Sequence, residues 1–283
     1  MCRIVGIVDN RKKSLNKLDI KVLTKMRDSM INGGPDGYGI FFDNNVGFGH
    51  RRLAVIDLTD AGKQPMSFGE WTINFNGEIY NYKEIKSELE KKNYSFKTNS
   101  DTEVIVKAFD NWGIDSIKRF HGMFAFALYN KITKKFFLCR DRLGVKPLYW
   151  YLNDGLLLFS SEIKAFHLHP DFDKEINTDA IPHYLRKGYI NPQTSIFKNL
   201  NKVLPGSVIE FNNKLEFKTV KYWDINEIFY ESDLVKQSEI KVEEKLVAIL
   251  KKSFKYRMVS DVPVGLFLSG GIDSSLIAAI LQK

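Results

Sequence analysis

The chain has 283 residues, 44% of them hydrophobic and 27% charged, which suits a soluble globular protein with room for more than one domain. No apolar run reaches the roughly 18 residues that a membrane helix needs, and no signal-peptide pattern opens the chain, so a cytoplasmic protein without a membrane partner is expected. The net charge of +8 is scattered, with its densest cluster only Arg11-Lys12-Lys13, and implies no nucleic-acid partner.

In chain order, "CRIVGIVD" alternates and is β-branched, which predicts a strand starting at the terminus itself. "LDIKVLTKMRDSMI" predicts a helix with the apolar residues Leu18, Val22, Met26 and Met30, at a four-residue spacing, along one face. "INGGPDGYG" then breaks it. "VGFGHRRLAVIDL" and "WTINFNGEIYN" read as strands, "YKEIKSELEKKNY" and "SDTEVIVKAFDNWG" as helices. The second helix opens on a capping pattern, Ser100 or Asp101 with Glu103 three residues after Ser100. "GMFAFALYN" and "KFFLCRD" predict a hairpin closed by "KITKK", and "GLLLFSSEI" a further buried strand. These elements make an α+β domain over residues 2–222.

Residues 223–240 read as a polar linker, and residues 241–283 as the start of a second domain. There "EEKLVAILKKSFKYRMV" predicts a helix with Val242, Leu246, Leu250 and Phe254 in line. "DVPVGLFLSGGIDSSLIAAILQK" predicts a buried strand, a glycine turn and a helix. A lone strand–loop–helix leaves a parallel sheet without neighbours, so this second domain is expected to be incomplete.

Two constellations carry chemistry. In "SGGIDSS", Phe267 and Leu268 lead into Ser269, Gly270 and Gly271. The glycines let backbone N–H groups approach a phosphate, and Ser269, Ser274 and Ser275 add hydroxyl donors. Asp273 is the candidate contact to Mg2+ on the phosphates. The other constellation is built on Cys2, which becomes residue one if Met1 is removed. The two cysteines, Cys2 and Cys139, imply no disulfide framework, so a free thiol is expected. An N-terminal cysteine carries its own base, because an α-amine titrates near about 7.7–8.0. Asn76 and Gly77 supply an amide and an N–H for an oxyanion, Arg51 and Arg52 a carboxylate clamp, and Asp101 a partner for an ammonium. Taken singly, each has a plain structural reading as a turn, a solvated arginine or a helix cap. Together they describe a receptor for an amino acid with an attackable side chain.

The motifs "MC.I.GI", "GPD..G", "GHRRLAVIDL", "FNGEIYN", "SDTEVI", "GMFAFALY", "RDRLGVKPLYW", "SSEIKA", "LPGS" and "SDVPVGLFLSGGIDSS" occur in one order through nearly the whole chain. In this the chain resembles the N-terminal part of the glutamine-hydrolysing asparagine synthetases. The resemblance implies an N-terminal nucleophile hydrolase fold, a four-layer αββα sandwich, followed by the first strand–loop–helix of an ATP-pyrophosphatase domain. It implies that Cys2 forms a thioester with L-glutamine and releases ammonia. Asn76 and Gly77 would form the oxyanion hole, Arg52 and the Ile56 backbone would bind the glutamine carboxylate, and Glu78 and Asp101 its amine. The second domain of the family uses ATP and Mg2+ to activate L-aspartate as β-aspartyl-AMP, and "SGGIDSS" matches its pyrophosphate loop. Arg140, Asp141 and Lys146 are read as structural, and Cys139 as a buried bystander.

Two positions depart from the family pattern. Arg3 stands where glycine or serine is usual, and Gly33 where "HRGPD" would place an arginine. The chain alone is expected to hydrolyse glutamine without making asparagine. Three alternatives stay open: amidation of another carboxylate such as a sugar acid, a non-catalytic fragment, and a partner subunit. A separate C-terminal synthetase chain and a homodimer are the assemblies considered.

Overall fold

A computed structural model describes residues 2–227 and 239–282. Its centre is two face-to-face antiparallel sheets. The first runs in the order β10 (Leu200–Lys202), β8 (Tyr149–Asn153), β9 (Leu156–Ser160), β1 (Arg3–Asp9), β3 (Val46–Arg52), β2 (Gly37–Asp43). The second runs β12 (Phe217–Lys221), β11 (Ser207–Phe211), β7 (Phe136–Arg140), β6 (Gly122–Asn130), β5 (Trp71–Ile79), β4 (Met66–Phe68). Strand alternation sorts the side chains into three apolar layers. Ile4, Val8, Phe48 and Phe159 meet Ala125, Ala127, Phe136 and Leu138 between the sheets. The other face of the first sheet, with Val5, Ile7 and Leu158, packs on α1 (Lys17–Asp28) through Leu23 and Met26. The outer face of the second sheet, with Ile73, Phe75 and Phe126, is covered by α2 (Tyr82–Glu90) and α3 (Asp101–Trp112). This is the expected αββα sandwich.

Several expectations need correction. Leu18 does not join the core of α1 and is 66% exposed. A strict four-residue spacing drifts about 40° per step around a helix, so Leu18 leaves the face that Leu23, Met26 and the following Met30 bury at spacings of three and four. The capping pattern of α3 is only half realised. Ser100 Oγ accepts from the Thr102 N–H, while the Glu103 carboxylate turns to the N–H groups of Lys97 and Thr98 and to Lys107. Two short helices, α4 (Ser116–Arg119) and α5 (Ala180–Lys187), follow α3 in the chain; in the region read as the start of a second domain, α6 (Glu239–Arg257) and α7 (Ile272–Leu281) form, but residues 262–268 make no strand. Among the described residues no strand lies beside them to take their backbone hydrogen bonds, and Phe267 is 97% exposed. The predicted apolar line on α6 is likewise uncovered at Val242 and Leu246. Most of the predicted linker, residues 228–238, lies outside the described residues.

One polar cluster crosses between the sheets. Asn74 of β5 donates its amide to the carbonyl oxygens of Gly49 (3.0 Å) and Val5 (3.3 Å) in the opposite sheet. Its Oδ1 must then accept from His50 Nδ1, 2.8 Å away, which fixes the proton on Nδ1 and leaves Nε2 unprotonated. His50 is fully buried, and desolvation depresses its pKa to about 4, a shift opposed by the Asn74 bond. A histidine buried neutral stabilises the fold fully above its unfolded pKa of about 6.5, and that stability is lost as pH falls toward the folded value. We expect urea stability to fall by up to roughly 3 kcal/mol between pH 7 and pH 4 from this group. A flatter pH slope for His50→Gln than for the wild type, measured by urea unfolding, checks it.

Candidate active site

Cys2 stands immediately before β1, whose central place in the first sheet holds it on both sides. It lines a cavity of about 60 Å3 with Arg52, Leu53, Ile56, Asn76, Gly77, Glu78, Asp101 and Lys146 in its wall. The cavity lies where the end of β5 faces the start of β1. Period-two alternation along β5 carries the Asn74 orientation to Asn76, so the strand that ties the two sheets also presents its next inward amide. Asn76 is fully buried, and neither its Nδ2 nor its Oδ1 finds a partner among the described residues. A buried amide left unpaired costs free energy unless a ligand completes it. Gly77 has φ +153°, and a Cβ there would stand 2.2 Å from the Met123 carbonyl oxygen, so only glycine fits beside Asn76.

The thiol itself is held by one residue. Cys2 Sγ donates to the Leu53 carbonyl at 3.4 Å and accepts from the Leu53 N–H at 3.3 Å. Burial raises its pKa, against the lowering effect of that N–H, so the resting group is a thiol and needs a base to become a nucleophile.

Arg52, at the end of β3, donates to the backbone carbonyls of Thr59 (2.8 Å), Ile56 (3.4 Å) and Asp57. Its neighbour Arg51 faces the other way, to Asp28 at 2.7 Å, so the two arginines divide and only Arg52 enters the cavity. The same cavity wall holds two carboxylates. Asp101 is the first residue of α3, and its Oδ2 accepts from the Ile79 N–H at 2.9 Å. Burial pushes its pKa up to about 7, helped by the charge of Glu78 and opposed by the Ile79 bond. Burial also raises Glu78, against the pull of the Lys146 ammonium.

The cavity thus brings together Cys2, Arg52, Ile56, Asn76, Gly77, Glu78 and Asp101. It also brings in Lys146, which the sequence reading had placed with Arg140 and Asp141 as structural. Those two do build the loop. Asp141 accepts from the N–H groups of Leu143, Val145 and Lys146, and Arg140 donates to the carbonyls of Gly144, Lys146 and Val203. The loop they fix carries Lys146, only 1% exposed, into the cavity wall. The signal available in the sequence was a lysine inside the apolar run "LGVKPLYW". Cys139 is fully buried away from the site, as expected.

A model of the glutamine amidotransferase domain matches residues 1–223, and a model of asparagine synthase matches residues 245–283. The chain belongs to the glutamine amidotransferase family. Over its whole length it is 37% identical to a putative glutamine-hydrolysing asparagine synthetase 2 of Methanocaldococcus jannaschii, covering 57% of that protein. It is 36% identical to the glutamine-hydrolysing asparagine synthetase 1 of Bacillus subtilis, again over its whole length, covering 44% of that protein. The chain therefore spans about half the length of these curated relatives. The glutamine phosphoribosylpyrophosphate amidotransferase structure from B. subtilis superposes on 78% of this chain and 49% of its own, with a TM-score of 0.56 at 19% identity. The chain thus shares the fold of that structure, the N-terminal nucleophile hydrolase fold.

Its two departures from the family pattern touch each other. Arg3 turns from the thiol side of β1 to pair with Glu162. On the way its side chain crosses Gly33, where an added Cβ would lie 2.6 Å from Arg3 Cγ and 2.7 Å from Cζ. Gly33 thus leaves the space that the Arg3 side chain occupies. In the second region, residues 269–271 form a glycine turn before α7, with Gly270 at φ +81° and the Ser269 and Ser274 hydroxyls 3.1 Å apart. Gly271 caps α7 with no side-chain hydrogen bond, so the helix start offers its N–H groups. Asp273 lies in that first turn, and no cluster of metal-ligating side chains occurs among the described residues.

If positions 3 and 33 share one space, Gly33→Arg alone is expected to lose about 1–3 kcal/mol by overpacking. Arg3→Gly added to it should recover part of that loss. A double-mutant cycle by urea denaturation reads the coupling, and additive losses would refute the shared space.

Proposed function

We propose that this chain hydrolyses L-glutamine and supplies the ammonia to an amide-forming second step. The observation that carries the reading is the unpartnered, buried Asn76 amide in one cavity wall with the Cys2 thiol. With Met1 removed, the α-amine of Cys2 takes the thiol proton, and the thiolate attacks the glutamine side-chain carbonyl carbon. Asn76 Nδ2 and the Gly77 N–H receive the oxyanion. The protonated α-amine returns its proton to the departing nitrogen, ammonia leaves, and a thioester remains. Water then attacks the thioester and releases glutamate, restoring the thiol.

Recognition of the rest of glutamine follows the charges. Arg52 and the Ile56 backbone hold the α-carboxylate, while Glu78 and Asp101 hold the α-ammonium. The open N–H groups at the start of α7, in the stretch with Phe267, Leu268, Ser269, Gly270, Gly271, Asp273, Ser274 and Ser275, fit an anionic phosphate group. ATP with Mg2+ bound there would activate a carboxylate, L-aspartate by likeness to the named relatives, for reaction with the ammonia.

Glutamate release from glutamine by the wild type and by Cys2→Ala tests the reading, with intact mass establishing that Met1 is absent. Loss of release in Cys2→Ala is expected, and equal rates would overturn the assignment. A second outcome follows from Asp101. Its carboxyl must be ionised to hold the ammonium, and with a pKa of about 7 it gains charge as pH rises. The kcat/KM for glutamine should therefore climb through about pH 7. Asp101→Asn should lower it by about tenfold or more and flatten that part of the profile.

A further inference from the structure

The region matched by the asparagine synthase model reaches back into the glutamine site through one aspartate. Asp261 lies just after α6, and its Oδ2 accepts from the Asp57 N–H at 2.7 Å. Its own N–H donates to the Val55 carbonyl at 2.9 Å. The residue as a whole is exposed, but its contact with Asp57 is half-buried. Nearby, Val259 packs on the core between β5 and α3, and Tyr256 donates its hydroxyl to Glu84 at 2.8 Å. The second region therefore rests on the first at several points, of which Asp261 hydrogen-bonds the loop at residues 53–59, at Val55 and Asp57.

That loop is where the cavity's geometry is set. Leu53 holds the Cys2 thiol, and the carbonyls of Ile56, Asp57 and Thr59 hold the Arg52 guanidinium. Asp57 is its node. The residue is buried with φ +54°, a conformation that a non-glycine residue keeps only when its surroundings impose it. Its Oδ1 accepts from the Thr59 hydroxyl at 2.5 Å and its Oδ2 from the Asn99 N–H at 2.9 Å, next to the start of α3 and Asp101. Its carbonyl accepts from Arg52, and its N–H is the group that Asp261 holds. One residue therefore joins Asp261 to the arginine of the cavity, with no intervening side chain.

We propose that Asp261 is a positioning residue for glutamine binding, which sets the orientation of the Arg52 guanidinium through the backbone of Asp57. The proposal rests on the reading of Arg52 as the carboxylate site. A change in the second region that moves Asp261 would turn the Asp57 peptide and alter the affinity for glutamine, leaving the thiol chemistry in place.

The test is steady-state glutamate release by the full chain at varied glutamine, with Asp261→Ala, Asp261→Asn, Val259→Ala and Arg52→Lys. Removing one hydrogen bond of this kind predicts about a fivefold rise in KM for Asp261→Ala, with kcat changed by less than about twofold. Asp261→Asn keeps an acceptor oxygen and should restore KM. Val259→Ala loosens the junction without removing a hydrogen bond to the loop and should leave KM unchanged. An unchanged KM in Asp261→Ala, or the same rise in Val259→Ala, overturns the proposal. A fall in kcat at constant KM in Asp261→Ala also overturns it. Failure of the underlying reading looks different: Arg52→Lys would then bind glutamine as well as the wild type, whatever Asp261 does.

Discussion

The amide of Asn74 is the interaction on which the rest depends. Two sheets packed face to face by apolar side chains can slide with little penalty, because the hydrophobic effect has no direction. Two hydrogen bonds from one buried amide to carbonyls of β1 and β3 do have direction, and they fix how β5 lies across β1. Cys2 stands three residues before Val5, and Asn76 two residues after Asn74, so the same bond sets the distance between thiol and oxyanion donors. The cost is a buried histidine that has to stay neutral beside it.

Inside the cavity the charges are arranged in opposing groups. The charge of Glu78 lies close enough to raise Asp101, as like charges do in a medium that screens poorly. Arg52 and Lys146 supply positive charge to the same walls. A zwitterion with one carboxylate and one ammonium is complementary to such a site. A neutral amide or a dianion would leave one of the groups unmatched.

The sequence showed the parts of this site that depend on local geometry. Cys2, the Asn76–Gly77 pair and the start of α3 at Asp101 each sit at a strand or helix end, where residue type and position say what the backbone does. Leu18 misled because a spacing of four looks helical over two steps and drifts over three. The strand expected at 262–268 was read from its apolar composition, but a strand exists only beside another strand. Lys146 was assigned with its neighbours Arg140 and Asp141, although the loop they brace sends it elsewhere. The contact of Asp261 with Asp57 spans 204 residues and is made by a backbone N–H, which no side-chain pattern reports.

The crossing of Arg3 over Gly33 makes the bareness of one residue a condition for the reach of another. Any side chain at position 33 would begin 2.6 Å from Arg3 Cγ, so it could enter only by pushing Arg3 aside. Arg3 could not yield without disturbing its pair with Glu162. A glycine near the mouth of the first sheet thus acts as a passage, through which a cation beside the thiol is drawn off to an acid 159 residues away.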